Sequence, residues 1–341
     1  MTTPMGTEVL DGFEEEPEKP RGKKAKELTG RSPTRIAFER LRKDKVAIVC
    51  AFFLLLLVLI ALFAPVITKA FGVYKDLDDP NAPTPSEMTA GDGYPLFGPP
   101  FEPFTWDHPL GIEPQTGYDN LALLVYGLRT SLEVAFLATL VATIVGVSLG
   151  LVAGYAQGWV DSVLSFIIDF FLSFPFVLGA LALAPIMVSR FGGSSESLSK
   201  AQFFALIGVL VFFGWMGLAR LIRGQVLSLR EREFIQAARV IGVPTRAILF
   251  KELLPNLVAP IVVAVSLALP GFVAAEAGLS FLGIGLSEGT SLGKTINSAR
   301  NYYDSYPLYL FVPVATVMIL VVALNLLGDS VRDAFDPKTR R

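Results

Sequence analysis

The 341-residue sequence has little cysteine, histidine or charge. Its one cysteine, Cys50, has no partner within the chain, which excludes the class of small disulfide-stapled domains. Its one histidine, His108, leaves no Cys/His cluster of the kind that binds zinc. Charged residues make up only 18% of the chain and are absent from whole stretches, which excludes a soluble globular enzyme and a disordered chain.

The sequence is instead rich in long apolar runs: 52% of its residues are hydrophobic and its mean hydropathy is +0.54. A helix needs about 20 apolar residues to cross a bilayer core. Six runs are long enough, and we therefore expect an all-α integral membrane protein with six transmembrane helices. The runs are Val46–Thr68, Leu132–Tyr155, Val163–Val188, Phe203–Ile222, Leu257–Leu282 and Leu308–Leu327.

Lysine and arginine indicate the direction of these spans, because short cytoplasmic segments carry an excess of both. With the N-terminus inside, the inside segments hold 22 of the 29 cations: 11 before Val46, 7 from Arg220 to Lys251 and 4 from Arg332 to Arg341. The outside segments hold the other 7. The sequence therefore predicts that both termini are cytoplasmic.

The segments around the spans differ in composition. Residues 1–34, rich in proline, glycine and charge, predict a disordered cytoplasmic tail. Residues 35–45 are basic and amphipathic, and either lie against anionic lipid or act only as a topological signal. Residues 69–131 predict an extracytoplasmic loop, with a helical period from Leu121 to Leu128 that could lie on the outer leaflet. Residues 46–68 hold the first span and 132–328 the other five, and 329–341 predict a cytoplasmic tail.

The inside segment at residues 223–256 is too polar to span a membrane and too regular for a linker. Charged residues are spaced among Leu229, Phe234, Ile235 and Ala238, and Gly242 then interrupts the helical period. Pro244 suits the first turn of a second helix, which continues to Pro255. The pattern predicts two short helices around a glycine turn, lying parallel to the membrane and able to dock into a groove on a cytoplasmic partner.

Gly289–Thr295 resembles a phosphate-binding loop, but its spacing is wrong. Such a loop has four residues between its first glycine and the Gly-Lys-Thr, whereas this segment has three. The position that requires glycine is Glu288, whose carboxylate would repel phosphate. The predicted orientation also places the segment outside the cell, where ATP is scarce, and we therefore reject a nucleotide site.

Three polar residues within the spans require a partner or water, because hydrocarbon penalises them: Asp169, Glu276 and Asn325. Contacts between helices, lining of a solute pathway and proton coupling are the alternatives. In the second span, Gly146, Gly150 and Gly154 recur every four residues on one helix face. This spacing predicts close packing against a neighbouring helix.

Residues 223–256 resemble the permeases of ATP-binding-cassette (ABC) importers. These permeases carry Glu-Ala-Ala, three residues, Gly, nine residues and then Ile-x-Leu-Pro. Here Gln236-Ala237-Ala238 precedes Gly242 and Glu252-Leu253-Leu254-Pro255 at the same spacing, with Gln236 in place of Glu and Glu252 in place of Ile. Most of the chain after about Ser32 further resembles the C-type permease of dipeptide/oligopeptide (and nickel) transport systems. The resembling stretches are Lys43–Ile67, His108–Gly111, Tyr126–Ser131, Gly150–Asp161, Arg223–Glu233, Glu276–Gly285 and Asn325–Pro337.

The resemblance implies a type I ABC importer permease (MetI-like) fold in a bacterial plasma membrane, and a non-catalytic subunit. The implied partners are a homologous second permease, two cytoplasmic ATPase subunits and an extracytoplasmic solute-binding protein. ATP and Mg would be bound by the ATPases, and this chain would bind no cofactor, metal or nucleic acid. The residues implied to couple to the ATPases are Gln236, Ala237, Ala238, Gly242, Glu252, Leu254 and Pro255.

The resemblance favours dipeptides or oligopeptides as the solute, while nickel, haem and other small solutes remain alternatives. An ion-driven secondary carrier would instead work without ATPase subunits. A membrane scaffold that transports nothing would leave the pattern of residues 223–256 without an explanation.

Overall fold

The computed structural model describes residues 33–74, 85–96, 106–191, 195–286 and 289–336. The tail expected over residues 1–34 therefore lies almost wholly outside the described residues, as do residues 75–84 and 97–105 of the expected outer loop, Glu288 and residues 337–341. Secondary structure in the described ranges is helical apart from two isolated bridges, Thr89 with Pro95 and Ile112 with Asp119.

The helices are α1 (Pro33–Leu41), α2 (Lys45–Leu62), α3 (Ala64–Phe71), α4 (Pro85–Met88), α5 (Asn120–Ala156), α6 (Gly158–Leu172), α7 (Phe176–Phe191), α8 (Ser195–Gly214), α9 (Met216–Leu229), α10 (Glu233–Val240), α11 (Thr245–Ala247), a π-helical segment (Ile248–Leu253), α12 (Leu254–Phe281), α13 (Leu292–Ala299), a 3₁₀ turn (Arg300–Tyr302) and α14 (Pro307–Phe335).

Within the described ranges, five helical stretches are long and apolar enough to cross a bilayer: Lys45–Leu62, Asn120–Ala156, Leu198–Leu229, Thr245–Phe281 and Pro307–Phe335. The pair α6 and α7 passes the same test together, although its two helices meet at 94°. The all-α membrane class is confirmed, with six spans when this bent pair counts as one.

The third span is therefore not the single helix predicted over Val163–Val188. Pro175 lacks an amide hydrogen and disfavours helical geometry at the residue before it, so α6 ends at Leu172. Ser173 completes that end, since its amide and its hydroxyl both donate to the carbonyl oxygen of Asp169, over 3.1 and 2.8 Å. The break separates a helix that packs on α9 from one that packs on α8.

The second span is longer than the predicted Leu132–Tyr155. Asp119 caps a helix that starts at Asn120, because its Oδ1 accepts the amides of Leu121 at 2.7 Å and Ala122 at 3.3 Å. The period from Leu121 to Leu128, predicted as a separate surface helix, is the beginning of α5. No proline interrupts the chain between Asn120 and Ala156, and the helix runs through.

The second short helix predicted around Pro244–Pro255 is also not separate. The chain continues from α11 through the π-helical segment into α12, and Pro255 lies in the first turn of α12. Pro255 has no amide hydrogen to donate there, and the π-helical segment before it, in which the Leu254 amide donates to the Leu249 carbonyl, keeps the helix continuous. The predicted pair of short helices is thus one short helix, α10, followed by the start of a long one.

The core is organised around α5 and α12, which contribute to three buried clusters. One cluster joins them to α2 and α14 and contains Cys50 and Leu320. A second joins them to α7 and α8, and a third joins them to α9, α10 and the π-helical segment. The third cluster lies beneath the segment between α9 and α12, and it holds that segment on the bundle.

Candidate functional site

The segment of residues 230–253, here called the α10 loop, turns sharply at Gly242. Gly242 has a φ of +83°, the left-handed region that favours glycine. The Val243 amide donates to the Ala238 carbonyl at 3.0 Å, and the Gly242 amide donates to the Arg239 carbonyl at 3.1 Å. This pair of bonds is a Schellman motif, which satisfies the last carbonyls of α10 and ends the helix.

The inner side of the α10 loop is anchored by apolar side chains. Ile235 of α10 is fully buried and packs with Ile248 and Leu253 of the π-helical segment. The same cluster contains Leu151 of α5 and Val226 of α9. The position of α10 on the bundle is therefore set by the packing of one face.

The opposite side of the loop exposes apolar side chains at its tip. Val240 is 88% exposed and Ile241 is 79% exposed, directly before the glycine turn. Exposed apolar side chains that lie together outside a membrane span are typical of a protein contact surface.

The residues predicted to couple to a partner lie on both sides of the glycine turn. Gln236 and Ala237 are exposed and Ala238 is half-buried, while Gln236 donates through Nε2 to the Glu231 carbonyl at 3.2 Å. Glu252 and Leu254 are half-buried, Pro255 is exposed, and the Glu252 carbonyl accepts from Asn256 Nδ2 at 2.6 Å. These residues and Gly242 thus lie along one continuous stretch from α10 to the start of α12.

Three arginines reach from α9 and the α10 loop to the end of α5 and the start of α6. Arg223 binds Asp161 through two parallel hydrogen bonds, Nε to Oδ1 at 2.5 Å and Nη2 to Oδ2 at 2.9 Å. Arg230 Nη1 donates to the Gly154 carbonyl at 3.0 Å. The guanidinium carbon of Arg239 lies 4.7 Å from the centre of the Tyr155 ring. Sequence analysis used these arginines as topology signals and, for Arg223 and Arg230, as part of a stretch that resembles peptide permeases, but it predicted none of their contacts.

The three glycines predicted to pack, Gly146, Gly150 and Gly154, face α9. A Cβ built on Gly146 would lie 2.8 Å from the Trp215 carbonyl oxygen, and one on Gly150 would lie 2.7 Å from the Ala219 carbonyl oxygen. A Cβ on Gly154 would lie 2.7 Å from the Cβ of Val226. The backbones of α5 and α9 therefore approach more closely than any side chain at these positions would permit.

The three polar residues predicted within spans have different surroundings. Asp169 of α6 forms an ion pair with Arg220 of α9, and their side chains are 62% and 58% exposed. Asn325 of α14 is exposed and donates to the Val321 carbonyl of its own helix at 2.9 Å. The three are not brought together into one site.

Glu276 of α12 is fully buried, and Ser280 donates to its Oε1 at 2.8 Å. The hydroxyls of Ser131 of α5 and Ser291, which caps α13, lie beside the same carboxyl group. Ser131 Oγ also accepts the amide of Leu292 at 3.2 Å. Glu276 therefore joins α5, α12 and the first turn of α13.

A second polar cluster, which the sequence did not predict, lies near the start of α5. Glu113 and Tyr309 are both buried and hydrogen-bonded to each other, and Thr116 also donates to Glu113. His108 Nδ1 lies 2.8 Å from Oδ2 of Asp119, whose other oxygen caps α5. These contacts hold the end of the bundle opposite the α10 loop.

The segment Gly289–Thr295, rejected above as a phosphate loop, has a helix cap in its place. Ser291 Oγ accepts the amide of Lys294 at 3.3 Å, and Lys294 Nζ donates to the Gly289 carbonyl at 2.7 Å. The lysine thus binds the backbone of its own turn. Among the described residues, no group of three or more His, Cys, Asp and Glu side chains is placed to hold a metal ion.

Long apolar helices pack around α5 and α12, and the polar α10 loop is exposed between two of them. These features define a multi-span α-helical membrane protein. Residues 146–341 match the family of binding-protein-dependent transport system inner membrane components, and this range is more than half of the chain. The chain belongs to that family of membrane permeases. Residues 32–83 also match the N-terminal transmembrane domain of oligopeptide transport permease C.

Curated relatives resemble the chain along nearly its whole length. The dipeptide transport system permease protein DppC of Alkalihalophilus pseudofirmus is 35% identical over 92% of this chain and 93% of its own. The oligopeptide transport system permease protein OppC of Escherichia coli K12 is 32% identical over the full length of both. The predicted resemblance to C-type peptide permeases is confirmed.

A solved structure supports the fold independently. An inward-facing structure of the methionine ABC transporter MetNI contains a chain that matches this one with a TM-score of 0.50 at 21% identity. The match covers 63% of this chain and 96% of the other. The predicted MetI-like fold is confirmed.

Proposed function

We propose that this chain is a permease subunit of an ATP-driven importer of dipeptides or oligopeptides, and that it forms half of the translocation pathway. Relatives named as dipeptide and oligopeptide permeases, matched over 93% and 100% of their lengths, support this assignment. A homologous second permease supplies the other half. Two cytoplasmic ATPases bind ATP and Mg, and an extracytoplasmic protein delivers the solute.

The observation that carries the proposal is the α10 loop, which is anchored on one side and exposes an apolar tip on the other. Ile235 is buried beneath it, while Val240 and Ile241 project from it. The excess of cations in segments on the same side of the bilayer supports a cytoplasmic location for this loop and both termini. The tip then enters a groove on an ATPase, where burying apolar surface stabilises the complex.

The ion pair of Asp169 and Arg220 indicates which face of the subunit lines the pathway. Both side chains are exposed on helices that belong to membrane spans, with Arg220 near the cytoplasmic end of its span, and contact with lipid chains disfavours exposed charges. This face therefore turns toward the second permease and the water between the two subunits. Apart from Lys45 at its start, α2 is apolar, and this helix, which exposes Phe52 and Leu55, faces lipid instead.

The test is ATP-driven uptake by the complete complex in proteoliposomes. We expect uptake of a labelled dipeptide or tripeptide that requires the binding protein and ATP, and that is abolished when the ATPases are omitted. Uptake of nickel or haem without peptide uptake would assign a different solute. Uptake without ATPases would overturn the proposal in favour of a secondary carrier.

The docking role of the tip is tested with paired variants at one position. Ile241→Asp places a charge in the proposed contact, and we expect the ATPases to dissociate during purification. Ile241→Leu retains the apolar surface and is the matched control, with copurification preserved. Normal copurification of the ATPases with Ile241→Asp would contradict docking through the tip.

The pathway face is tested by thiol labelling, because Cys50 is the only cysteine and is buried. In a Cys50→Ala chain, Asp169→Cys should react with a membrane-impermeant thiol reagent in inside-out vesicles or during transport. Leu55→Cys on α2 is the control and should remain unreactive. Equal labelling of both positions would argue against the assigned face.

A further inference from the structure

The three arginines described above converge on one short stretch of chain. This stretch, Gly154–Asp161, contains the last residues of α5 and the first turn of α6, and is called the α5–α6 turn below. Arg223 comes from α9, Arg230 from the start of the α10 loop and Arg239 from α10 itself. Because their partners lie 62 residues away for Arg223 and 76 for Arg230, the contacts join segments that are distant in the sequence.

The contact between Arg223 and Asp161 is the most directional of the three. Its two parallel hydrogen bonds fix both distance and orientation, as bidentate pairs of arginine and carboxylate do. The side chains are only 30% and 19% exposed, and water screens the pair less than it would a surface pair. Sliding of α6 along α9 would break both bonds together.

Arg230 holds the end of α5 through its backbone. The Gly154 carbonyl is among the last four of α5, which lack partners within the helix and carry the negative end of its dipole. Arg230 satisfies that carbonyl at 3.0 Å and also binds Glu231 through Nε at 3.1 Å. The first residues of the α10 loop are thereby attached to α5.

Arg239 makes the third contact through the face of the Tyr155 ring. A guanidinium 4.7 Å from the ring centre is within the range of a cation–π interaction. Arg239 lies one residue before Val240, so the contact begins directly beneath the exposed tip. Displacement of the tip by a partner would therefore strain the contact with Tyr155.

The backbone of the α5–α6 turn is held in an uncommon conformation. Gln157 has a φ of 59° and a ψ of 176°, and Gly158 has a φ of 61°. A residue with a side chain keeps this strained conformation only where contacts with its surroundings hold the backbone in place. The arginine contacts on either side of Gln157 are such surroundings.

We propose that Arg223, Arg230 and Arg239 are positioning residues that carry the movement of the α10 loop to α5 and α6. The inference rests on the proposed function, in which an ATPase moves that loop. The apolar contacts of Ile235 keep α10 against the bundle but do not oppose its sliding along the bundle surface. The arginine contacts do oppose this sliding, because they are directional. Without these contacts the ATPases bind and hydrolyse ATP, but less of their movement reaches the pathway helices.

The test compares transport per ATP hydrolysed by the complete complex in proteoliposomes. For Arg239→Gln and Tyr155→Leu we expect the ratio of solute transported to ATP hydrolysed to fall about five-fold or more, the lower range of allosteric coupling. The ATPases should still copurify, and ATP hydrolysis should continue. Arg239→Lys and Tyr155→Phe retain a cation and an aromatic face, and should preserve most of the ratio.

Charge exchange tests the second contact. Asp161→Arg and Arg223→Asp should each lower the ratio, and the double variant should recover part of it, because neighbouring residues that interact are not additive. Arg129→Gln is the matched control, since Arg129 pairs with Glu133 at 2.9 Å in the other half of α5. This control should leave the ratio unchanged.

Two results would overturn the link while leaving the proposed function intact. One is a ratio of solute transported to ATP hydrolysed that is the same in Arg239→Gln and Tyr155→Leu as in the wild type. The other is a parallel fall of uptake and hydrolysis with loss of the ATPases, which would make the arginines part of the docking surface. A wild-type complex without ATP-driven uptake would overturn the proposed function itself, and the link with it.

Discussion

The close approach of α5 and α9 leads to a prediction at Gly150. An alanine Cβ there would lie 2.7 Å from the carbonyl oxygen of Ala219, 2.8 Å from the Cβ of Ile222 and 3.0 Å from its Cγ2. Carbon atoms in favourable contact are about 3.5–4.0 Å apart, so the helices must separate by about 0.7 Å. Neither obstacle moves easily, because one belongs to the helix backbone and the other to a β-branched side chain that is stiff at χ1. We expect the overpacking to cost about 1–3 kcal/mol.

Gly224→Ala is the matched control for Gly150→Ala. Gly224 lies on α9, the helix that Gly150 packs against, but a Cβ built there meets nothing within 4 Å. Both variants gain the same helix propensity, about 1 kcal/mol for alanine over glycine, so the difference between them isolates the contact. The free energy of unfolding is measured on the purified full chain by titration from mild detergent into SDS, followed by circular dichroism. Equal stability of the two variants would refute the argument from close approach.

Three further predictions concern the turn, the start of α5 and the buried carboxyl group. Gly242→Val imposes a left-handed backbone on a β-branched residue, at a cost of about 1–2 kcal/mol. The subunit should remain in the membrane fraction while ATP-driven uptake falls. Unchanged uptake would contradict the role of the turn. Asp119→Ala removes the cap of α5 and should lower the free energy of unfolding by about 0.5–2 kcal/mol, whereas Asp119→Asn retains a capping oxygen and should lose less. Glu276→Ala leaves Ser280 without its carboxyl acceptor and should cost about 1–3 kcal/mol in the same SDS titration. A loss no larger than that of Ala274→Ser, a small change at an exposed position two residues earlier on α12, would show that the contact contributes little.

Local patterns in the sequence predicted the spans and the glycine turn, because both depend on neighbouring residues. Apolar runs set the number of membrane helices, and the Gly242 turn follows from the interruption of one helical period. The extension of α5 to Asn120 was missed because hydropathy reports only the apolar part of a helix. Asp119 was the available signal, since aspartate commonly caps a helix and no proline follows it.

The contacts of the arginines could not be predicted, because they depend on the packing of distant segments. Arg223 and Asp161 show no relation in a single sequence, and their pairing appears only when α6 lies along α9. The break in the third span was partly foreseeable from Pro175, but the 94° angle between its helices depends on the different neighbours of α6 and α7. Local signals thus predict helices well, whereas the partner of each polar side chain depends on how the helices pack in the folded chain.

The length of α5 has a consequence for how distant parts of the subunit move. Its 37 residues make a rod about 55 Å long, far more than the bilayer core of about 30 Å. One end is capped by Asp119 beside His108, and the other is held at Gly154 and Tyr155. A tilt of about 10° around the middle of such a rod moves its ends about 5 Å in opposite directions. A rigid pivot of α5 would therefore move its two ends, which lie beyond opposite surfaces of the bilayer core, in opposite directions.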